Sequence, residues 1–300
     1  MHGSAKLWGR QHISDGPNIL ISHKAMKTLY EEIQRHGGKS APCLIKHLRA
    51  TEITDWPDIT KANLHELRDE LRRTVAPNSV KLYLAELRSI LGRFEDELQL
   101  PKDWRAIFQV KGERPVKTYV TPAELKRLEA VPTKNGEEEI VRIQSLLEAY
   151  TGARVSDIMR FTAENIADGY LTYTSQKTSV TATVPVSEKT KGWIAYAQSH
   201  KEDEPGSLVQ RNRIIRRLLK RAGVNATTKV YKAGKELTGE KWEFCSSHSF
   251  RVSAATNMAA AGASLTDIRF TLGHTSEAMS SRYIAAGRPN LSAKALAYFR

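Results

Sequence analysis

"LGHTSEAMSSRY", residues 272–283, ends in a tyrosine and holds one histidine, His274, nine positions before it. It overlaps the end of "SLTDIRFTLG" (264–273), a short helical run with Ser264 as cap and Asp267 as the reciprocal acid. The stretch is too poor in aliphatic residues to be ordinary core. Upstream, "SSHSFRVSAATNMAAAG" (246–262) reads as a helix beginning near His248 and stopping at Gly262. His248 and Arg251 are three apart and share one face of it. Farther upstream, "TGARVSD" (151–157) puts Arg154 at a helix start, just after a glycine turn.

Around these motifs the chain reads as mainly helical, with a small antiparallel β-sheet. "ENIADGYLTYTSQKTSVTATVPVS" (164–187) alternates in the strand period about an Asp168-Gly169 turn. It predicts two or three strands, with a second turn near Gln176-Lys177-Thr178. Helices are expected over 137–152, 187–200 and 208–223, and at "TPAEL", where Thr121, Pro122 and Glu124 form a capping box. Residues 225–246 read as a polar loop or hairpin. The first half predicts four helices: one ending at Gly37-Gly38, one over 40–51, one capped by Thr60, and a long one over 76–100 ended by Pro101. Val80, Leu82, Leu84, Leu87, Ile90, Leu91 and Phe94 lie mostly along one stripe of the last. The expected organisation is a tail (1–19), a helical domain (20–105), a linker (106–119) and an α+β domain (120–300).

The 300 residues carry 46 Lys+Arg against 33 Asp+Glu, a net charge of +13. The pI is near 9.7, the footprint of a nucleic-acid binder. No apolar run is long enough to span a membrane, and the N-terminus lacks the apolar core of a secretory signal. Two cysteines, Cys43 and Cys245, form no disulfide framework, which predicts a reducing, cytoplasmic setting. Cys245 and His248 have a zinc-like spacing but no second ligand pair, so no metal is expected.

Taken singly, Arg154 reads as a surface arginine, His248 as a helix cap or core histidine, Lys177 as a solvated turn lysine and Tyr283 as an amphipathic core residue. Together, in this order and context, they resemble the tyrosine recombinase or phage integrase family over roughly residues 20–290. The most specific matches are "HSFR" with its small-residue helix, and the His-to-Tyr spacing of "LGHTSEAMSSRY"; "TGARVSD" is similar to the family's first arginine motif. Phe250, Val252 and the long polar stretch 225–246 depart from the common pattern without removing a reactive group.

The resemblance implies an N-terminal four-helix, SAM-like core-binding domain joined to a catalytic domain, with DNA clamped between the two. It implies that DNA is cut and rejoined through a 3′-phosphotyrosyl link, with no metal, ATP or other cofactor. Arg154 and Arg251 would neutralise the charged transition state, since two guanidinium forks match phosphoryl oxygens where lysine would not. Tyr283 would be the nucleophile. A phenol titrates near 10, so its proton needs an acceptor, and His248 takes that role. Lys177 would protonate the leaving oxygen, His274 would bind the phosphate or position Tyr283, and Asp157 would orient the site. Lys81 and Arg88 on one helix, and Arg213, Arg216, Arg217 and Lys220 on another, are expected at DNA phosphates. Expected partners are double-stranded DNA attachment sites, a homotetramer on DNA, and a directionality factor or host bending protein. The tail "RPNLSAKALAYFR" is read as a helix docking on a neighbouring protomer or its own domain. About 20 residues precede the first helix, too few for a separate arm-binding domain. The expected role is integration or excision of a phage or other mobile element, in the nucleoid or a host cytoplasm. Alternatives are a chromosome-dimer resolvase, a topoisomerase-like nicking and resealing enzyme, and a non-catalytic DNA-binding protein on the same fold.

Overall fold

The computed structural model describes residues 27–113, 117–232 and 234–284. The N-terminal tail and the segment read as a C-terminal tail helix lie outside them. The chain divides into two compact units, one up to Val75 plus Ser79–Lys111 and one formed by Ala76–Asn78 with Gly112 onward.

The first unit is helical. α1 (Leu29–His36) starts in a capping box, where Thr28 accepts from the Glu31 N–H and the Glu31 carboxylate accepts from Thr28. α2 (Ala41–Ala50) and α3 (Lys61–Thr74) follow; Thr60 caps α3 by accepting from the Asn63 N–H at 3.2 Å. α4 (Pro77–Arg93) buries Val80, Leu84, Leu87, Ile90 and Leu91. Two expectations fail here. Leu82 is 53% exposed, because it lies about 200° round the helix from Val80. The helix also stops at Arg93 instead of reaching Pro101, and tight turns follow Phe94.

α5 (Trp104–Ile107) straddles the expected junction between the helical domain and the linker. Trp104, Ile107 and Phe108 are each 6% exposed or less and join the first unit's core. Burying such side chains stabilises by roughly 1.5–3 kcal/mol each, so they belong to the first unit, which runs to Lys111, inside the expected linker of 106–119.

The second unit is built round α7 (Gly136–Thr151), which is buried on nearly all sides and ends at Gly152 with φ +69°. α6 (Pro122–Ala130) carries the expected Thr121/Glu124 box, and α8 (Val155–Ile158) begins after Arg154. β1 (Ile166–Ala167), β2 (Tyr170–Thr174) and β3 (Thr181–Pro185) form one antiparallel sheet in the order β1-β2-β3. Asp168 and Gly169 both have positive φ, as a tight hairpin turn requires. Leu171, Tyr173, Ala182 and Val184 face the core, while Thr172–Thr183 and Thr174–Thr181 pair their hydroxyls at 3.1 Å on the outer face.

α9 (Glu188–Ser199) and α10 (Leu208–Arg221) come next. Residues 225–246 contain a hairpin of β4 (Thr227–Lys232) and β5 (Lys235–Glu240). α11 (Ser247–Ala260), α12 (Leu265–Leu272) and α13 (Glu277–Ser281) complete the unit. Tyr283 and Ile284 pack on a small cluster of Ala255, Ile268 and Leu272.

Candidate active site

Arg251 is the fixed point. It lies on α11 and is only 1% exposed. Its Nη1 donates to the Gly152 carbonyl and its Nη2 to the Leu272 carbonyl at 2.7 Å. Those carbonyls close the C-terminal ends of α7 and α12, where the helix dipoles favour a cation. Gly152 is required there: a Cβ would meet Leu272 Cδ1 at 2.9 Å, and its φ is left-handed. With two donors spent on the scaffold, Arg251 Nε is buried with no hydrogen-bond partner.

Arg154 enters from the α8 N-terminus. Its Nη1 donates to Ser175 Oγ at 2.8 Å, and that hydroxyl donates to Asp157 Oδ2 at 3.1 Å. Asp157 Oδ1 accepts from the Gln176 N–H at 2.9 Å and from Arg160 at 3.1 Å. One buried carboxylate thus ties Arg154, through Ser175, to the 175–180 turn that presents the exposed Lys177.

Tyr283 stands among the remaining groups. Its ring centroid is 4.5 Å from that of His274 and 5.2 Å from that of His248, the latter edge-on. Arg251 Cζ is 5.3 Å and Lys117 Nζ 4.1 Å from the same centroid. His274 is 3% exposed, with Nδ1 3.0 Å from the Ser280 hydroxyl and Nε2 buried without a partner. A Ser280 hydroxyl donating to Nδ1 leaves the ring proton on Nε2, free for an incoming acceptor. Tyr173 is the other phenol beside the arginines, but burial pushes it up to about 12.

The cations dominate this space. His248 keeps an exposed edge, yet protein atoms crowd the ring. Desolvation first, then Lys117, Arg251, Arg154 and Lys177, lower its pKa to about 4. Burial, Arg251 and Arg154 lower His274 to about 3. Both rings are therefore neutral at pH 7, and His248 is able to accept a proton.

Behind α11, Ser247 Oγ donates to Glu148 Oε1 at 2.7 Å, and burial raises the Glu148 carboxyl to about 8. The folded state thus holds a proton that the unfolded chain releases above its usual 4.5, so stability falls as pH rises from about 4.5 to about 8. Glu148→Gln is expected to melt above the wild type at pH 8 and level with it at pH 4. An equal gap in both melts would contradict this.

The six reactive candidates, Arg154, Lys177, His248, Arg251, His274 and Tyr283, lie in the second unit with Asp157. The phosphate-contact candidates lie elsewhere on the two units. Lys81 and Arg88 are exposed on α4 and line a groove of about 970 Å³ with Arg93, Arg105 and Lys111. Arg213, Arg216, Arg217 and Lys220 are exposed on α10, but two are engaged by their own unit. Arg216 Nε donates to the Cys245 carbonyl at 3.2 Å, and Lys220 lies over the Trp242 ring at 5.0 Å. Arg213 and Arg217 make no hydrogen bond or ion pair among the described residues. Cys245 is a buried thiol raised to about 12, with Sγ donating to the Lys241 carbonyl.

Sequence reasoning missed Lys117, Ser175 and Ser280. A serine six residues after a singled-out histidine and a lysine four before a helix cap carry no local signal. Ser175 is one exception, since it adjoins the turn already singled out.

The sequence profile of the phage integrase family matches residues 118–288. That span exceeds half of the chain, and the protein belongs to the phage integrase family. Its fold is similar to that of a λ integrase dimer bound to a COC′ core site (20% identity, 87% of this chain and 97% of that chain, TM-score 0.63). It is also similar to a λ integrase tetramer bound to a Holliday junction (18% identity, 87% of this chain and 78% of that chain, TM-score 0.59). A third such structure is the Tn1549 transposon integrase in complex with a circular intermediate DNA (14%, 90% and 98%, TM-score 0.62). A comparison with curated proteins finds no match. Among the described residues, no helix is long and apolar enough to cross a membrane.

Proposed function

We propose that this protein is a site-specific DNA recombinase that cuts and rejoins duplex DNA through a 3′-phosphotyrosyl intermediate, serving the integration or excision of a mobile element. The observation that carries the reading is the gathering of Arg251, His248 and His274 round the half-buried Tyr283, with Arg154 acting on both histidines and two buried donor nitrogens, Arg251 Nε and His274 Nε2, left unpaired. An unpaired buried donor costs about 1–3 kcal/mol, a cost that a bound phosphodiester would remove.

The proposed reaction follows from the charges. The DNA phosphate sits against Arg251 and Arg154. Tyr283 gives its proton to neutral His248 and its oxygen attacks phosphorus. The bond to the 5′-oxygen breaks, and that oxygen takes a proton from Lys177. As the phosphorane forms, the arginines and His274 bear its extra charge, the kind of preorganised donor set that stabilises a transition state strongly. A 5′-hydroxyl from a partner duplex reverses these steps, so bond energy is kept and no ATP is consumed. Lys81, Arg88, Arg213 and Arg217 would hold the flanking backbone. A homotetramer is the proposed working form, by analogy with the λ integrase tetramer.

The test begins with covalent capture. Nicked duplexes with randomised cores are incubated with the protein, and protein-linked DNA is sequenced. The captured duplex is then offered as two distinguishable copies and, separately, in a supercoiled plasmid. Strand exchange between the copies is the expected result. Relaxation without exchange would assign a nicking and resealing enzyme, and binding without any covalent product would assign a DNA-binding protein.

A further inference from the structure

The segment before α6 carries a cation that the reaction above leaves without a task. Lys117 is half-buried and makes no ion pair among the described residues. Its placement is built into the backbone. Val120, three residues on, is fully buried; its N–H donates to Ser253 Oγ at 2.7 Å and its carbonyl accepts from Asn257 Nδ2 at 3.1 Å. Both partners are on α11, so the segment is laid along the helix that bears His248 and Arg251. The Lys117 ammonium then lies 4.1 Å from the centre of the Tyr283 ring.

The groups around this pair are mostly basic, although Glu113, Tyr231 and Glu243 line the same pocket as Lys117 and His248. α11 contributes His248 and Arg251, the residue after the α12 cap is His274, and Arg282 adjoins Tyr283 in sequence. Arg154 and Lys177 act on the same space from α8 and the β2–β3 turn. Burial, then Arg251 and Arg282, lower the Lys117 pKa. An ammonium held half-buried among like charges needs a compensating partner, and the face of an aromatic ring is one.

We propose that Lys117 is a positioning residue for the nucleophile, its ammonium seating the Tyr283 ring against His248 and His274 and favouring the phenolate as the proton leaves. The inference rests on Tyr283 as the nucleophile. Lys117 neither gains nor loses a proton in the step: the phenolic proton passes to His248, the tyrosine O–P bond forms, and the P–O5′ bond breaks with Lys177 protonating the leaving oxygen. The attraction of a cation for the ring grows as the oxygen acquires charge, so Lys117 acts more on the transition state than on the resting phenol.

The test is the pH dependence of single-turnover cleavage of the captured duplex by the full chain, for wild type, Lys117→Met, Lys117→Arg and Tyr283→Phe. Lys117 is one of the cations that lower the His248 pKa, so removing its charge moves a rising limb that reports this proton acceptor to higher pH. Lys117→Met is expected to move it by about one pH unit, about a tenfold loss at a fixed pH on the limb. Lys117→Arg is expected to restore it. Rates are normalised to the folded fraction measured at each pH, so a pH-dependent loss of stability does not imitate the shift. A rate lowered equally at every pH, or weaker DNA binding with an unmoved limb, would overturn the proposal and leave Lys117 a packing or phosphate contact. An adduct that persists in Tyr283→Phe would remove the nucleophile itself, and this inference with it.

Discussion

Tyr283→Phe is expected to abolish covalent capture of DNA, with cleavage lowered by a factor on the order of 10⁴ or more, as for removal of other enzymatic nucleophiles. The substitution isolates one atom. Phenylalanine keeps the ring that meets His274 at 4.5 Å and His248 at 5.2 Å. It also keeps the face under Lys117 and the packing on Ala255, Ile268 and Leu272. The fold and the basic pocket should therefore be unchanged, and DNA binding should stay within about twofold of wild type, a change well under 1 kcal/mol. Equal loss of binding and cleavage in a gel-shift and single-turnover comparison would make Tyr283 a DNA contact instead.

Arg251→Lys carries the second largest effect. The guanidinium spans the ends of two helices with separate nitrogens, donating to the carbonyls of Gly152 and Leu272, and its third nitrogen, Nε, is unpaired and is the proposed donor to the phosphate. A single ammonium cannot reproduce that fork. One carbonyl loses its partner at about 1–3 kcal/mol, so the melting temperature should fall. Loss of one preorganised donor to the transition state lowers cleavage by about 10²–10³-fold. Binding should be spared, because the proposed backbone contacts on α4 and α10 remain. Parallel titrations and single-turnover rates check both parts, and a binding loss as large as the rate loss would reduce Arg251 to a phosphate anchor.

What the sequence made legible follows from how local each signal is. Arg154 follows a glycine turn, His248 and Arg251 share a helix face, and His274 and Tyr283 bracket a short helix, so each could be read within a dozen residues. The antiparallel sheet was legible, to within two or three strands, because Asp168-Gly169 fixes a hairpin turn. Lys117 and Ser280 reach the site through tertiary packing: Lys117 comes alongside α11 only because Val120 bonds to Ser253 and Asn257. α5 was hidden because its apolar residues sit among prolines and charges without periodicity, and only docking on the first unit gives them a common face. On α10 the pattern separated buried from exposed residues correctly for Ile214, Ile215, Leu218 and Leu219. It could not show that Arg216 and Lys220 are engaged with the polypeptide that follows.

The central claim is that Tyr283 becomes bonded to DNA, and the most direct measurement is to locate that bond. The captured complex is digested with nuclease and trypsin, and the peptide retaining a nucleotide phosphate is sequenced by mass spectrometry. Cleavage after Arg282 starts that peptide at Tyr283, while Tyr298 falls in a separate one, "ALAYFR". The account predicts a 3′-linked nucleotide on Tyr283 and a free 5′-hydroxyl on the released strand. A nucleotide on Tyr298 or any other residue, or a 5′-linked adduct, would contradict it.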